Sequence, residues 1–496
     1  MNKPMSFVPP RGAVAAAFTA LLAACAVGPD YHRPDLPAAI RYAPEGVEAA
    51  MQAQRQVSAQ EIPAQWWTLF HSPALDQLVR TALANNPSVA GAQAALRQAI
   101  ETRRAQQAAF FPTVDASYSA ERQKVSKPLA SPLVNNADLL TLSTAQLSFS
   151  YTPDLFGLNR RQVESLEAQE QSQRWNVEAT YLTLSSNLVV AAITEAGLRG
   201  QIEATNRQIV LQSDLLERFR ELKRLGESSE LDVAQQETQL ATLQATLPGL
   251  QKQLAQQRDL IKALAGTLPQ DMTTAEFRLD DLTLPEPLPL TLPSTLVEHR
   301  PDVLAAEAQV HSAAADIGVA VANRLPQVTL GVNTWGSSAA SLSGLFSPGT
   351  SFWSLTGSVT QSVFDGGALK HKEAAAQAAY DQATATYRST VINAFQNVAD
   401  ALQAVQADAD GEKAARRAAE LADRTLAITR RQLELGDAST VAVLQAEQAD
   451  QQAVVARIQA HAQRLSDAAA LLQALGGGWW NRPEGDAPAT VGSASN

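Results

Sequence analysis

The chain has 496 residues, of which 50 are Asp or Glu and 39 are Lys or Arg, for a formal net charge of −11. An acidic balance of this size excludes a nucleic-acid partner, whose phosphates require clustered Lys and Arg, and fits a solvated surface that tolerates or attracts cations. Aromatic residues make up only 5%, and Ala, Gln and Leu fill long stretches, as in extended helices rather than one large globular core.

Residues 1–24 have the layout of an export signal, with Lys3 and Arg11 ahead of a short apolar core from Ala13 to Leu22. Leu22-Ala23-Ala24 then leads into Cys25, the single cysteine of the chain, in a pattern that resembles a lipoprotein cleavage site. The expectation is a signal peptide removed at residue 24 and a covalent lipid on Cys25, with no other cofactor. A plain signal with a chance cysteine is the competing reading. Ala26 follows where an aspartate would be the inner-membrane retention signal, so outer-membrane sorting is expected. Past the signal, no run of about 20 apolar residues occurs, so any membrane crossing must be made by strands.

The rest of the chain repeats itself at an offset of about 210 residues. Asn86-Pro87 answers Arg300-Pro301, and Phe111-Pro112 answers Leu325-Pro326. Phe156-Gly157 answers Phe364-Asp365-Gly366-Gly367, Leu225-Gly226 answers Leu435-Gly436, and Leu260 to Gly266 answers Leu471 to Gly477. The expected domains are therefore an N-terminal segment over 25–72, a first repeat over 73–278, a Pro-rich extended linker over 279–296, a second repeat over 297–478 and a flexible tail over 479–496.

Each repeat has one plan. A helix comes first, from about Ala74 to Phe110 and from about Pro301 to Asn323. Two strands follow, then a very long helix without proline, from about Leu158 to Leu225 and from about Ala368 to Leu435. At 1.5 Å per residue each long helix extends roughly 100 Å. Tight turns at 225–229 and 435–439 lead into the second helix of a hairpin. Gly226 and Gly436 stand where a helix C-terminus wants a left-handed residue, and Ser229 with Asp232 has the spacing of a cap. Leu240, Leu243, Leu247, Leu250, Leu254, Ile261 and Leu264 form a heptad seam, with Gln257 in the missing slot. Pro248-Gly249 is expected to kink that helix.

The strands are expected at about 112–124, 140–152, 326–336 and 351–363. Val114, Ala116, Tyr118 and Ala120 alternate with Asp115, Ser117, Ser119 and Glu121, and the other three carry the same period of two. One apolar and one polar face at this length suit outer-membrane barrel strands. A soluble sheet with one wet face gives the same pattern; the lipoprotein-like signal and the lack of a globular core favour lipid. Four strands cannot close, and open edges are not tolerated in hydrocarbon, so strands must be pooled between copies. Two copies give eight strands and a filled interior, whereas three give twelve and leave room for a pore lined by Asp115 and Glu121.

At this point the chain resembles the TolC-type outer-membrane efflux family, in the lipoprotein branch serving resistance-nodulation-division pumps. The resemblance rests on Cys25 with Gly28-Pro29-Asp30-Tyr31, on Trp66-Trp67 with Phe70, Pro73, Leu75 and Leu78, and on the duplicated turns, the two Leu-Gly tips and the closing Leu-Gly-Gly. It implies an α+β membrane protein, a homotrimer whose twelve-stranded β-barrel in the outer membrane continues as a long α-helical barrel in the periplasm. Residues 26–72, the linker and the tail would supply an equatorial belt. The implied function is a passive exit duct for small toxic compounds, fed by an inner-membrane pump and a periplasmic adaptor. The adaptor would meet the tips at Leu225, Gly226, Glu227, Ser228, Ser229, Leu435, Gly436, Asp437, Ala438 and Ser439. A protein-secretion duct and a non-conducting lipoprotein scaffold are the alternatives.

The family often guards its periplasmic mouth with an Asp-Val-Leu-Asp pattern after the second tip. This chain has Ala442-Val443-Leu444-Gln445 instead. Asp232, Asp437 and Gln445 are the remaining gate candidates, and Asp232 also reads simply as a helix cap. No catalytic constellation stands out. The six histidines lack metal-ligand spacing, no Gly-x-Ser-x-Gly elbow occurs, and Asp365-Gly366-Gly367 reads as a strand-to-helix turn. An enzyme and a metal site are therefore not expected. The Trp pairs at 66–67 and 479–480 read as packing or interfacial anchors rather than ligand boxes.

Overall fold

The computed structural model describes residues 27–33, 62–124, 126, 139–270, 275–284 and 298–482. The signal at 1–24, Cys25, most of the expected 25–72 segment, the linker from residue 285 and the tail from residue 483 lie outside the described residues.

The expected first helix is two helices, α1 (Pro73–Asn85) and α2 (Pro87–Gln107). Pro87 is the cause. Its ring disfavours helical backbone at the preceding residue, and Asn86 sits at φ −69°, ψ 125°. Ser72 caps α1, its hydroxyl accepting from the Leu75 amide. The short strands β1 (Thr113–Lys124) and β2 (Leu139–Tyr151) come next. Then follow α3 (Leu158–Leu225) and α4 (Glu230–Leu264). The second repeat runs α5 (Pro301–Ala322), β3 (Gln327–Ala339), β4 (Ser351–Thr360), α6 (Ala368–Leu435) and α7 (Thr440–Ala474). The duplication survives in length as well as order: α3 and α6 each have 68 residues, α4 and α7 each 35.

Two strand limits differ from expectation. β3 passes beyond 336 to Ala339, across a bulge between Asn333 and Gly336. The Thr144–Ser338 hydroxyl pair at 3.0 Å and the Ser338 amide on the Thr350 carbonyl hold the extra residues. β4 ends at Thr360, short of the expected limit at 363, and Val363 lies in the following turn at 96% exposure. Similarly, the linker begins with a 3-10 turn at Leu279–Asp281, where the Thr283 amide donates to the Phe70 carbonyl. The tail expected from 479 also starts pinned. Trp479 Nε1 donates to the His299 carbonyl at 2.7 Å, and Arg482 meets Glu178 through two bonds of 2.8 Å.

The chain divides into two compact units. One comprises residues 1–34, 97–172 and 306–387; the other comprises 35–96, 173–305 and 388–496. The helices α3 and α6 pass from the first into the second. The first unit holds a four-stranded antiparallel sheet in the order β1-β2-β3-β4. The second holds the main apolar core. Trp66, Phe70, Leu75, Leu188, Ile193, Ile261, Leu465, Leu471 and Leu472 are all fully buried there. Each such side chain contributes about 1.5–3 kcal/mol relative to exposure.

That core explains an apparent membrane signal. By length and composition, α3 contains one 18-residue window apolar enough to cross a bilayer. Its apolar residues, from Leu184 through Leu188, Val189, Ala192 and Ile193 to Ala196, are spent on the core. The heptad seam of α4 also packs inward, Ile261 fully and the leucines in part, between exposed neighbours. Gln257, in the missing apolar slot, donates from Nε2 to the Ala191 carbonyl on α3 at 3.2 Å. The helix runs unbroken through Pro248, where the sequence predicts a kink.

Candidate functional site

Registers across the sheet sort its side chains into rows. Val114 pairs with Phe149, Phe149 with Val332, and Val332 with Leu355. The neighbouring row is Asp115, Ser148, Asn333 and Ser354, where Asn333 Nδ2 donates to Ser354 Oγ at 2.8 Å. An apolar row across four strands thus lies beside a polar one, because successive strand residues point to opposite faces. Outside protein contact, Trp353, Leu355 and Val359 are 69–76% exposed. Such a row of large apolar side chains requires either lipid or a partner. Glu121 shares the face of Asp115, opposite Leu142, and both acids are exposed. Among the described residues, β1 and β4 each keep one edge unpaired. Phe352 lies over Gly336, where a Cβ would come within 2.4 Å of its ring, so the bulge holds an aromatic in place of a side chain.

The strand-to-helix turns are built twice. Asp154 accepts the Asn159 and Arg160 amides at 2.9 and 3.0 Å to start α3. Asp365 accepts the Gly367 and Leu369 amides at 2.8 Å to start α6. These backbone bonds hold the Asp365 carboxyl below the usual range. It is a cap.

The hairpin tips are likewise a matched pair. Gly226 and Gly436 have φ of +83° and +80°, and nothing within 4 Å opposes a Cβ, so backbone conformation alone selects glycine. Glu227 and Asp437 amides return to the Leu222 and Gln432 carbonyls at 2.9 and 2.8 Å, closing each helix. Leu225, Leu231, Leu435 and Val441 remain exposed around the turns, and Glu227 and Ser229 are polar neighbours. Ala438 and Ser228 are half-buried. Ser229 and Asp232 form a reciprocal capping box, and Ser439 accepts from the Ala442 amide.

The gate candidates separate on this geometry. Asp232 Oδ2 accepts from the Ser229 amide at 2.9 Å and from the Ser229 and Ser228 hydroxyls at 2.7 and 3.1 Å. The first of these bonds leads in lowering its pKa. Asp437 and Gln445 are exposed, and neither side chain makes a hydrogen bond among the described residues. Between the hairpins, Leu215, Leu216, Phe219 and Val233 form one small cluster, with Leu444 against it. Leu426, Val443 and Ala446 form the equivalent cluster.

Sequence reasoning missed three groups. One is an ion pair that repeats, Arg220–Glu237 at 2.7 Å and Arg430–Glu447 at 2.8 Å, whose 210-residue offset was visible. The second is Arg161, buried, whose Nε donates to the Val27 carbonyl at 3.1 Å while Nη2 meets Asp30 at 2.9 Å. With Tyr31 stacked on His311 at 4.3 Å, it fastens the Gly28-Pro29-Asp30-Tyr31 segment. The third is Glu412, buried among Arg464, Arg416 and His461. Apart from Arg416, four residues on from Glu412, and Glu164, three on from Arg161, the partners that bury the last two are distant in sequence and leave no local mark. The Trp66 indole donates to Ser185 and that of Trp67 to Asp76, as packing residues do. Among the described residues, no group of three or more His, Cys, Asp or Glu is placed to hold a metal ion.

The model of the outer membrane efflux protein family matches residues 78–267 and 292–477, each one repeat. The chain belongs to the outer membrane efflux protein family. This efflux protein is 28% identical over 435 residues to the pyoverdine export outer membrane protein OpmQ of Pseudomonas putida, covering 87% of the chain and 92% of the relative. It is 29% identical over 468 residues to the probable efflux pump outer membrane protein TtgC of the same species, covering 93% and 94%. Among solved structures, the outer-membrane channel OprN superposes with a TM-score of 0.82 at 28% identity, covering 92% of the chain and 100% of OprN. The Campylobacter jejuni CmeC outer membrane channel, at 21% identity and a TM-score of 0.81, shares the fold. Channels of this fold are trimers with a helical barrel, so the four strands of the efflux protein are one third of a twelve-stranded barrel. The efflux protein is an outer-membrane channel component of efflux.

Proposed function

We propose that this chain is the passive exit duct of a tripartite system, conducting small toxic compounds that an inner-membrane pump of the resistance-nodulation-division class delivers. The observation that carries the reading is the pair of adjacent rows across β1 to β4, apolar at Val114 to Leu355 and polar at Asp115 to Ser354. Pooled three-fold, the first row faces lipid and the second faces water. Relatives are named for the export of pyoverdine and for efflux of toluene and antibiotics, which supports small molecules as cargo.

In this reading the mature protein is acylated at Cys25, has no catalytic role, and meets a periplasmic adaptor through Leu225 to Ser229 and Leu435 to Ser439. The exposed leucines at both tips support the contact. Asp437 acts at the periplasmic mouth in preference to Asp232, whose carboxylate is occupied as a cap. The test is single-channel conductance of the purified trimer in a planar bilayer. Small, cation-preferring openings that grow with Asp437→Ala and not with Gln445→Ala support the gate. A monomer without conductance overturns the duct.

A further inference from the structure

An internal repeat provides its own control, because a feature of the shared architecture recurs about 210 residues away. One cavity of the second unit, about 380 Å³, has a basic lining most of which does not recur. It lies among α3, α6, α7 and the short turn at 278–280, and draws Arg199, Arg207, Arg278, Arg416, Arg457 and His461 to one place. At the repeat-related positions of Arg199, Arg457 and His461 stand Ala409, Leu247 and Gln251; only Arg207 keeps its counterpart, Arg417.

Part of this positive charge is compensated. Glu412 accepts from Arg416 at 3.0 Å and from His461 at 2.9 Å. Arg199 is held by Glu195 at 2.7 Å and Glu276 at 3.1 Å, yet its Nε is buried without a partner. The remaining three, Arg207, Arg278 and Arg457, come from three separate segments, and their guanidinium groups make no hydrogen bond or ion pair among the described residues. Glu203 and Asp280 also line the cavity and pair with none of them. In a chain of net charge −11, three uncompensated guanidinium groups around one cavity are a local reversal of sign. Guanidinium forks fit the oxygens of carboxylate and phosphate two at a time.

We propose that this cavity binds a small anion carrying two or more carboxylate or phosphate groups, held by Arg207, Arg278 and Arg457. Three forks from three segments offer about six N–H donors, more than the roughly four lone-pair sites of one carboxylate, so the ligand carries further carboxylate or phosphate oxygens.

Calorimetric titration of the purified full-length trimer in detergent tests it, with citrate and inorganic pyrophosphate as probes and sodium chloride at matched ionic strength as reference. The expected result is saturable binding of at least one probe, weakened tenfold or more by Arg278→Ala with Arg457→Ala. Arg424→Ala, an exposed α6 arginine that does not line the cavity, leaves the affinity unchanged. Preference for citrate or pyrophosphate distinguishes a carboxylate source from a phosphate source. Arg278→Lys with Arg457→Lys keeps the charge and loses the forks, and is expected to weaken binding by a smaller factor. Equal heats in wild type and the Ala pair, or no saturable heat with either probe, overturns the proposal.

Discussion

The side-chain amide of Asn86 donates from Nδ2 to the carbonyl of Leu264 at 2.7 Å, tying the break between α1 and α2 to the last turn of α4. The second repeat makes the same tie with different chemistry, Arg300 Nη1 donating to the Ala474 carbonyl at 2.8 Å. Gly266 is part of the first joint, since a Cβ there would come within 2.7 Å of the Asn85 carbonyl oxygen. Asn86→Ala removes this bond and the cap on the Ser88 amide, leaving a carbonyl in the core without its donor. The expected cost is about 1–3 kcal/mol. A lower Tm for the purified trimer checks it, and an unchanged Tm would show the joint to be dispensable.

Glu412 sets an acid limit to stability. Burial alone would raise its pKa, but Arg464, Arg416 and His461 together hold it down to about 2. A carboxyl depressed on folding stabilises the native state above its unfolded value near 4.3, and that contribution is lost as pH falls toward 2. Glu412→Gln is therefore expected to lower Tm at pH 7, with the difference from wild type shrinking between about pH 4 and pH 2. Breaking such a buried pair costs about 3–5 kcal/mol. Thermal melts across that range give the answer.

Asp408 behaves in the opposite sense. Burial first, then the neighbouring Asp467 carboxyl, push it up to about 7. A raised acid favours its protonated form in the folded state, so its destabilising effect grows as pH rises from about 4 and is complete above 7. Asp408→Asn should raise Tm at pH 8 and do little at pH 4. An equal gain at both would assign the effect to packing.

The two rows of the sheet predict opposite tolerance. Leu355→Arg places a charge on the apolar row and is expected to cost about 2–4 kcal/mol of barrel stability if that row faces the bilayer midplane. Ser354→Arg, one residue away on the polar row, should be tolerated and should alter ion preference. Yield of folded trimer, followed by conductance, separates the two outcomes.

At the tips, Gly436→Ala meets open space but must hold a φ of +80°. The expected cost is about 1–2 kcal/mol of local strain. Pull-down of the periplasmic adaptor by Gly436→Ala and by Leu435→Asp distinguishes tip shape from tip surface: binding lost only with Leu435→Asp points to the leucine.

Much of this was legible in the chain itself. Period two marked the strands, proline-free runs marked α3 and α6, and the recurring Leu-Gly marked both tips, because these are local consequences of side-chain direction and backbone freedom. Asp365-Gly366-Gly367 reads as a turn from sequence alone, and the Gly367 and Leu369 amides on Asp365 show why. The break at Asn86 was also local, in the form of Pro87, but the apolar pattern running past it argued for one helix. Other features had no local signature. Arg161 reaches Val27 and Asp30 across more than 130 residues, and Glu412 meets His461 and Arg464 about 50 residues on. The rows of the sheet needed the β2–β3 pairing, which joins the two repeats and includes a bulge that shifts the register. Period two says only that faces alternate; which residues share a row is set by hydrogen bonds between strands far apart in sequence. Spacing along one chain was enough for the elements, the repeat and the family. Tertiary structure alone decided which charges meet, which arginines are left without partners and which residues line up across the sheet, because those energies depend on distance in space.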